Sequence, residues 1–160
     1  MPVPVSRTSR TSRLAPADRP LDPRGLRLAA ALTTVVLAVV LLAGRSPAGL
    51  ALLAAQTLVF AVGALVGPAA TPYAWAFRRF VRPRLAAPSA LEDPRPPRFA
   101  QAVGLSFSAV ALVAMLVGAT LIGLVAVGAA LAAAFLNAAF GLCLGCELYL
   151  LLRRPRVPAA

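Results

Sequence analysis

Cys143-Leu144-Gly145-Cys146-Glu147 carries almost all of the soft-ligand or redox chemistry open to this chain. It contains the only two cysteines, and Glu147 is the only acid deep in an apolar segment. Histidine and lysine are absent. Cys-x-x-Cys is a redox spacing. On an unbroken helix Cys143 and Cys146 are i and i+3, so they share a face, which Glu147 joins at i+4. At the C-terminal end of a helix the pair would meet the negative pole of the dipole, and Glu147 would add a like charge. Both effects disfavour the thiolate that such chemistry needs. Arg153 or Arg154 would offset part of this. A permanent structural disulfide is not expected in a reducing cytoplasm. Two thiols and a carboxylate fall short of the four ligands of a structural zinc site, so no metal and no cofactor is expected in a single chain. Three readings stay open: small apolar filler, a redox or sulfur-relay pair, and a metal site shared across a dimer.

Two further polar residues matter. A carboxylate in an apolar segment needs a partner or a task. Arg27, Arg78 and Arg79 are the expected ion-pair partners of Glu147, the other reading being a proton or ion site. Asn137 falls within the stripe Ala126, Ala130, Ala133, Ala134, Asn137, Gly141. This stripe is expected to meet Gly104, Ser108, Ala111 and Gly118, because membrane helices pack through small residues. Asn137 is then interhelical glue, or else a polar group on a solute path. Its face is expected to be distinct from that of the cysteines.

The elements that position these residues belong to a membrane protein. Hydrophobic residues make up 60% of the chain and mean hydropathy is +0.83. Uncharged apolar runs of about 18 or more residues read as transmembrane helices. The net charge of +11 does not indicate nucleic acid. The arginines flank apolar spans and are not interleaved with aromatics as a base-stacking surface requires.

Residues 1–24 form a polar tail rich in Ser, Thr, Arg and Pro, expected to be disordered. A transmembrane domain over 25–154 comes next, then a short tail at 155–160. Spans are expected at 26–43, 48–66, 100–117 and 121–144. The uncharged run 99–146 would reach about 70 Å as one helix against a hydrocarbon core of about 30 Å, so it must fold back once. The fold-back is expected within 118–123. The apolar stretch beyond that turn is still too long for one straight span, so the last helix tilts strongly or breaks near Gly141–Gly145. Tyr73, Trp75 and Phe77 before Arg78-Arg79 mark a membrane–water interface. The connector 78–98 is polar and rich in proline.

Every arginine but Arg45 lies in the N-terminal tail and its junction with the first span, the connector or the C-terminus. Four spans put these regions on one side, so both termini are expected in the cytoplasm. The fold class is therefore all-α: an integral inner-membrane protein of four transmembrane helices arranged as two antiparallel hairpins. A cleaved leader is the rival for the first span, but its basic start is long and no clear Ala-x-Ala site follows.

Four segments carry a resemblance: Asp22-Pro-Arg-Gly-Leu-Arg27; Arg78-Arg-Phe-Val-Arg-Pro-Arg84; Leu91-Glu-Asp-Pro-Arg-Pro-Pro-Arg-Phe-Ala-Gln101; and Phe135-Leu-Asn-Ala-Ala-Phe-Gly-Leu-Cys-Leu-Gly-Cys-Glu147. With them the chain, over about residues 20–154, resembles the actinobacterial "domain of unknown function 4395" membrane proteins. The resemblance implies a small integral membrane protein and no defined activity. Members sometimes encoded beside thioredoxin-like or sulfurtransferase proteins imply such a partner.

The sequence contains no P-loop, no histidine-based constellation and no dinucleotide fingerprint, so it does not support an enzyme. The expected role is that of a membrane partner in cytoplasmic-side thiol redox or sulfur handling through Cys143 and Cys146. The alternatives are a small-solute or ion transporter subunit using Glu147 and Asn137, and a non-catalytic scaffold. Four short helices enclose little space, so a transport role would need a homo-oligomer. The remaining expected partner is the lipid bilayer.

Overall fold

The structure is a computed structural model and describes residues 19–153. The expected tail falls mostly outside this range, as does 155–160. Six α-helices are described: α1 (Pro23–Ala43), α2 (Pro47–Leu65), α3 (Pro72–Ala76), α4 (Arg95–Leu116), α5 (Thr120–Phe140) and α6 (Leu144–Arg153). Short 3-10 turns at Pro68–Ala70 and Arg82–Arg84 and a π turn at Phe77–Val81 complete the connector. The described residues include no strand, only an isolated antiparallel bridge between Leu21 and Glu92.

Local chemistry sets the helix starts. Asp22, Ser46 and Thr71 cap α1, α2 and α3, each side chain accepting a backbone N–H of the first turn. Proline follows each cap, where its missing N–H costs nothing. The same tolerance explains why α4 starts at Arg95, five residues before the expected span. Pro96 and Pro97 sit in its first turn, where proline is admitted rather than excluded. The fold-back is also tighter than expected. Only residues 117–119 separate α4 from α5. Gly123 lies inside α5, and a Cβ built there would meet Met115 of α4.

Helices α1, α2, α4 and α5 are each long and apolar enough to cross a membrane. Their most apolar windows have mean hydropathy of 1.9–2.4, yet only 17–28% of each is buried inside the protein. Val35, Leu42, Leu58, Leu65, Val113 and Val125 all face outward. Water would penalise this surface heavily, whereas a bilayer solvates it.

The principal helix contacts run α1 to α2, α2 to α4, α4 to α5, and α5 back to α1. The buried core gathers Leu37, Val40, Leu53, Ala111, Met115, Ala126, Val127 and Ala130. These residues sit toward the end that carries the two short turns. Ser108 and Ala111 are buried as expected, as are Ala126 and Ala130 across the α4–α5 contact. Gly104 instead faces α2, where the Phe60 ring fills the space of its missing side chain.

The opposite end is tied by arginine. The Arg27 guanidinium donates to the carbonyls of Ala138 and Ala139 at the end of α5, at 3.3 and 3.2 Å. Arg98 donates to Ala64 and Leu65 at the end of α2, at 2.7 and 2.9 Å. The last carbonyls of a helix have no partner within it, and a cation suits the negative pole there. These bonds hold the starts of α1 and α4 beside the ends of α5 and α2.

Candidate redox site

Of the two outcomes expected for the last helix, the break near Gly141–Gly145 is the one found. Gly141 ends α5 in the left-handed region, at φ 72°, and the chain restarts as α6 at Leu144. A glycine adopts that conformation without the steric penalty a Cβ brings. The expected charge environment is reversed as a result. Cys143 precedes the first residue of α6 and Cys146 lies in its first turn. The pair thus sits at the positive pole of a helix, not the negative one.

Cys143 and Cys146 are joined as a disulfide, with Cα atoms 5.2 Å apart. The expectation concerned a permanent structural disulfide, and the local geometry adds that the two cysteines are within reach of one another. The Cys146 amide donates to Cys143 Sγ at 3.3 Å, and the Glu147 amide donates to the Cys143 carbonyl at 2.9 Å. Cys143 therefore occupies the capping position of α6. An anion there is stabilised by unpaired N–H groups and by the dipole. Of the two sulfurs, Cys143 is the one placed to carry thiolate character.

Helix α6 is docked on α4. A Cβ built on Gly145 would come within 2.7 Å of the Ala100 Cα, so the chains approach as closely as glycine allows. The Phe99 and Tyr149 rings lie 5.7 Å apart, and Arg153 stands over the Tyr149 ring.

This docking leaves a cavity of about 460 Å³ between the helices. Its wall is mostly apolar and includes Ala30, Phe60, Gly104, Phe107 and Ala133. The polar groups on it include Cys143, Cys146, Asn137, Gln101, Thr33 and Arg27. The Asn137 face and the cysteine face, expected to be distinct, thus line one space, because the break at Gly141 turns α6 back across the bundle. Among the described residues the Asn137 amide makes no hydrogen bond, so no interhelical amide bond is formed there. Gln101 was not singled out in the sequence. The residue lines the cavity, but its Oε1 is buried against Gly63 of α2 without a hydrogen-bond partner. A glutamine within an otherwise apolar stretch was the signal available for it.

Glu147 is exposed and is not part of the cavity wall. Among the described residues no arginine lies within ion-pair distance of it. The expected partners are engaged elsewhere: Arg27 on α5, Arg78 on the Ala69 carbonyl, and Arg79 over the Phe80 ring. Ion pairs form instead at Asp22, with Arg24 at 3.1 Å and Arg82 at 3.2 Å. The hydrogen bonds from Arg24 hold the Asp22 carboxyl below the usual carboxylate range, against an opposing effect of burial, and the Arg82 charge adds to the lowering. No group of three or more metal-ligating side chains occurs among the described residues.

The family model described as "domain of unknown function (DUF4395)" matches residues 21–154. The chain belongs to this family. The matched segment of this DUF4395 protein runs from the residue before the Asp22 cap to just beyond α6, so it includes the capped bundle, the cavity and the cysteine pair. No curated protein and no solved structure matches the chain.

Proposed function

We propose that the protein is a multi-pass inner-membrane partner in thiol redox or sulfur handling, acting on the cytoplasmic side through Cys143 and Cys146. The observation that carries this is the position of the pair: a disulfide at the start of a helix, opening on a cavity. A disulfide closing so short a loop restricts the unfolded chain less than a long one would, so a structural staple explains it poorly. The helix start instead favours the thiolate that attacks or leaves in disulfide exchange. The arginine bias supports the orientation, with the four spans forming two hairpins and both termini inside. The partner is a cytoplasmic thioredoxin-like or sulfurtransferase protein that exchanges with Cys143.

The test is thiol labelling of intact membranes, with single-cysteine variants for assignment. After reduction, Cys143 in a Cys146→Ser variant alkylates at least tenfold faster at pH 7 than Cys146 in a Cys143→Ser variant. In the wild-type protein, mild oxidant protects both cysteines together. Cysteines that never protect one another, or that label at equal rates, would defeat the proposal.

A further inference from the structure

We propose that the cavity beside the cysteine pair takes the head group of a lipid-soluble quinone, which exchanges two electrons with Cys143 and Cys146. This rests on the thiol-redox reading of the site and supplies its second substrate. A dithiol–disulfide pair is a two-electron couple, and a site of this kind needs a second couple to turn over. Here the space next to the sulfurs is an apolar chamber between helices that themselves suit a bilayer. A carrier that diffuses in lipid reaches it without crossing water.

The chamber fits the chemistry of such a carrier. Its volume of about 460 Å³ lies within the range of small-molecule sites. Phe60 and Phe107 give the wall an aromatic surface, and the small side chains of Ala129, Ala130 and Ala133 leave room for a flat head group. The Asn137 amide, without a hydrogen-bond partner among the described residues, is a donor for a quinone carbonyl. The Oδ1 of the same Asn137 amide is an acceptor for the hydroxyl that replaces such a carbonyl on reduction.

The reaction balances. In the oxidising direction the S–H bonds of Cys143 and Cys146 break and the S–S bond forms. Two electrons and two protons pass to the quinone, whose two carbonyls become hydroxyls. In the reverse direction the quinol reduces the disulfide.

The experiment uses the full chain in lipid nanodiscs, reduced and freed of reductant. Decylubiquinone, whose substituted ring resists thiol addition, is added in one arm and diamide in another. Disulfide formation is read by mass spectrometry and quinol by absorbance. The expected result is one quinol per disulfide, with a rate that saturates in quinone. Ala133→Phe, which fills the chamber, and Asn137→Leu, which removes the donor, each lower the quinone-driven rate at least tenfold. Disulfide formation with diamide but not with quinone overturns the quinone proposal and leaves the thiol-redox reading standing. A non-saturating quinone rate equal in wild type and both variants also overturns it. Failure of both oxidants to join the cysteines overturns the thiol-redox reading itself.

Discussion

Gly145 lies against Ala100 so closely that a Cβ on the glycine would come within 2.7 Å of the Ala100 Cα and Cβ. One of the two residues between the cysteines is thus a close contact that seats α6 on α4. The geometry of the disulfide and the packing of the bundle share this one point. A side chain at this position would press its Cβ on the backbone and Cβ of Ala100, with no flexible side chain to yield.

Gly145→Ala is therefore expected to destabilise the protein by about 1–3 kcal/mol, the usual cost of overpacking. Gly128 provides the control, since nothing lies within 4 Å of a Cβ built there. It is interior to α5, so Gly128→Ala is neutral or gains up to about 1 kcal/mol of helix propensity. Thermal unfolding in one detergent measures both. Equal melting temperatures for the two variants would show that α6 does not depend on this contact.

Arg27 closes the end of α5, which no capping side chain does. Removing its guanidinium leaves the carbonyls of Ala138 and Ala139 without these charged donors. Arg27→Gln is expected to cost about 1.5–3 kcal/mol, the range for hydrogen bonds to charged groups, reduced by the exposure of this side chain. Both bonds run from Nη2 at the tip of the guanidinium, so Arg27→Lys, which restores the charge on a shorter side chain, recovers only part of the loss. Denaturant titration in mixed micelles checks the order wild type, Lys, Gln. A lysine variant indistinguishable from wild type would mean that charge alone matters.

Asp22 gives the fold a pH dependence with a defined sign. Its folded-state carboxyl titrates below the ordinary range, chiefly through the Arg24 hydrogen bonds. The charged form is thus favoured more in the folded than in the unfolded chain. The resulting stability is fully present above the unfolded value of about 3.9 and is lost as pH falls through the depressed folded value. Asp22→Asn keeps an N-cap acceptor but loses the charge. Its melting temperature should lie below that of wild type at pH 7, and the two should converge at acid pH. A gap that persists unchanged to pH 2 would exclude the ionised carboxylate as its source.

Sequence periodicity and composition already determined the apolar spans, because about 20 apolar residues and flanking charge are one-dimensional properties. The prominence of Cys143 and Cys146 was equally legible, since no other residue offers comparable chemistry. The surroundings of the pair were decided in three dimensions. Gly141 could have continued α5 or ended it, and only packing against α4 selects the break that places Cys143 at a helix start. Asn137 and the cysteines meet on one cavity because α6 turns back, a relation invisible to helical spacing within a single straight element. Arg27 and Arg78 looked like partners for Glu147 by proximity of charge. The folded chain gives them the open carbonyls of Ala138, Ala139 and Ala69 instead, because unpaired backbone groups at helix and turn ends attract cations that an exposed carboxylate, solvated by water, does not need.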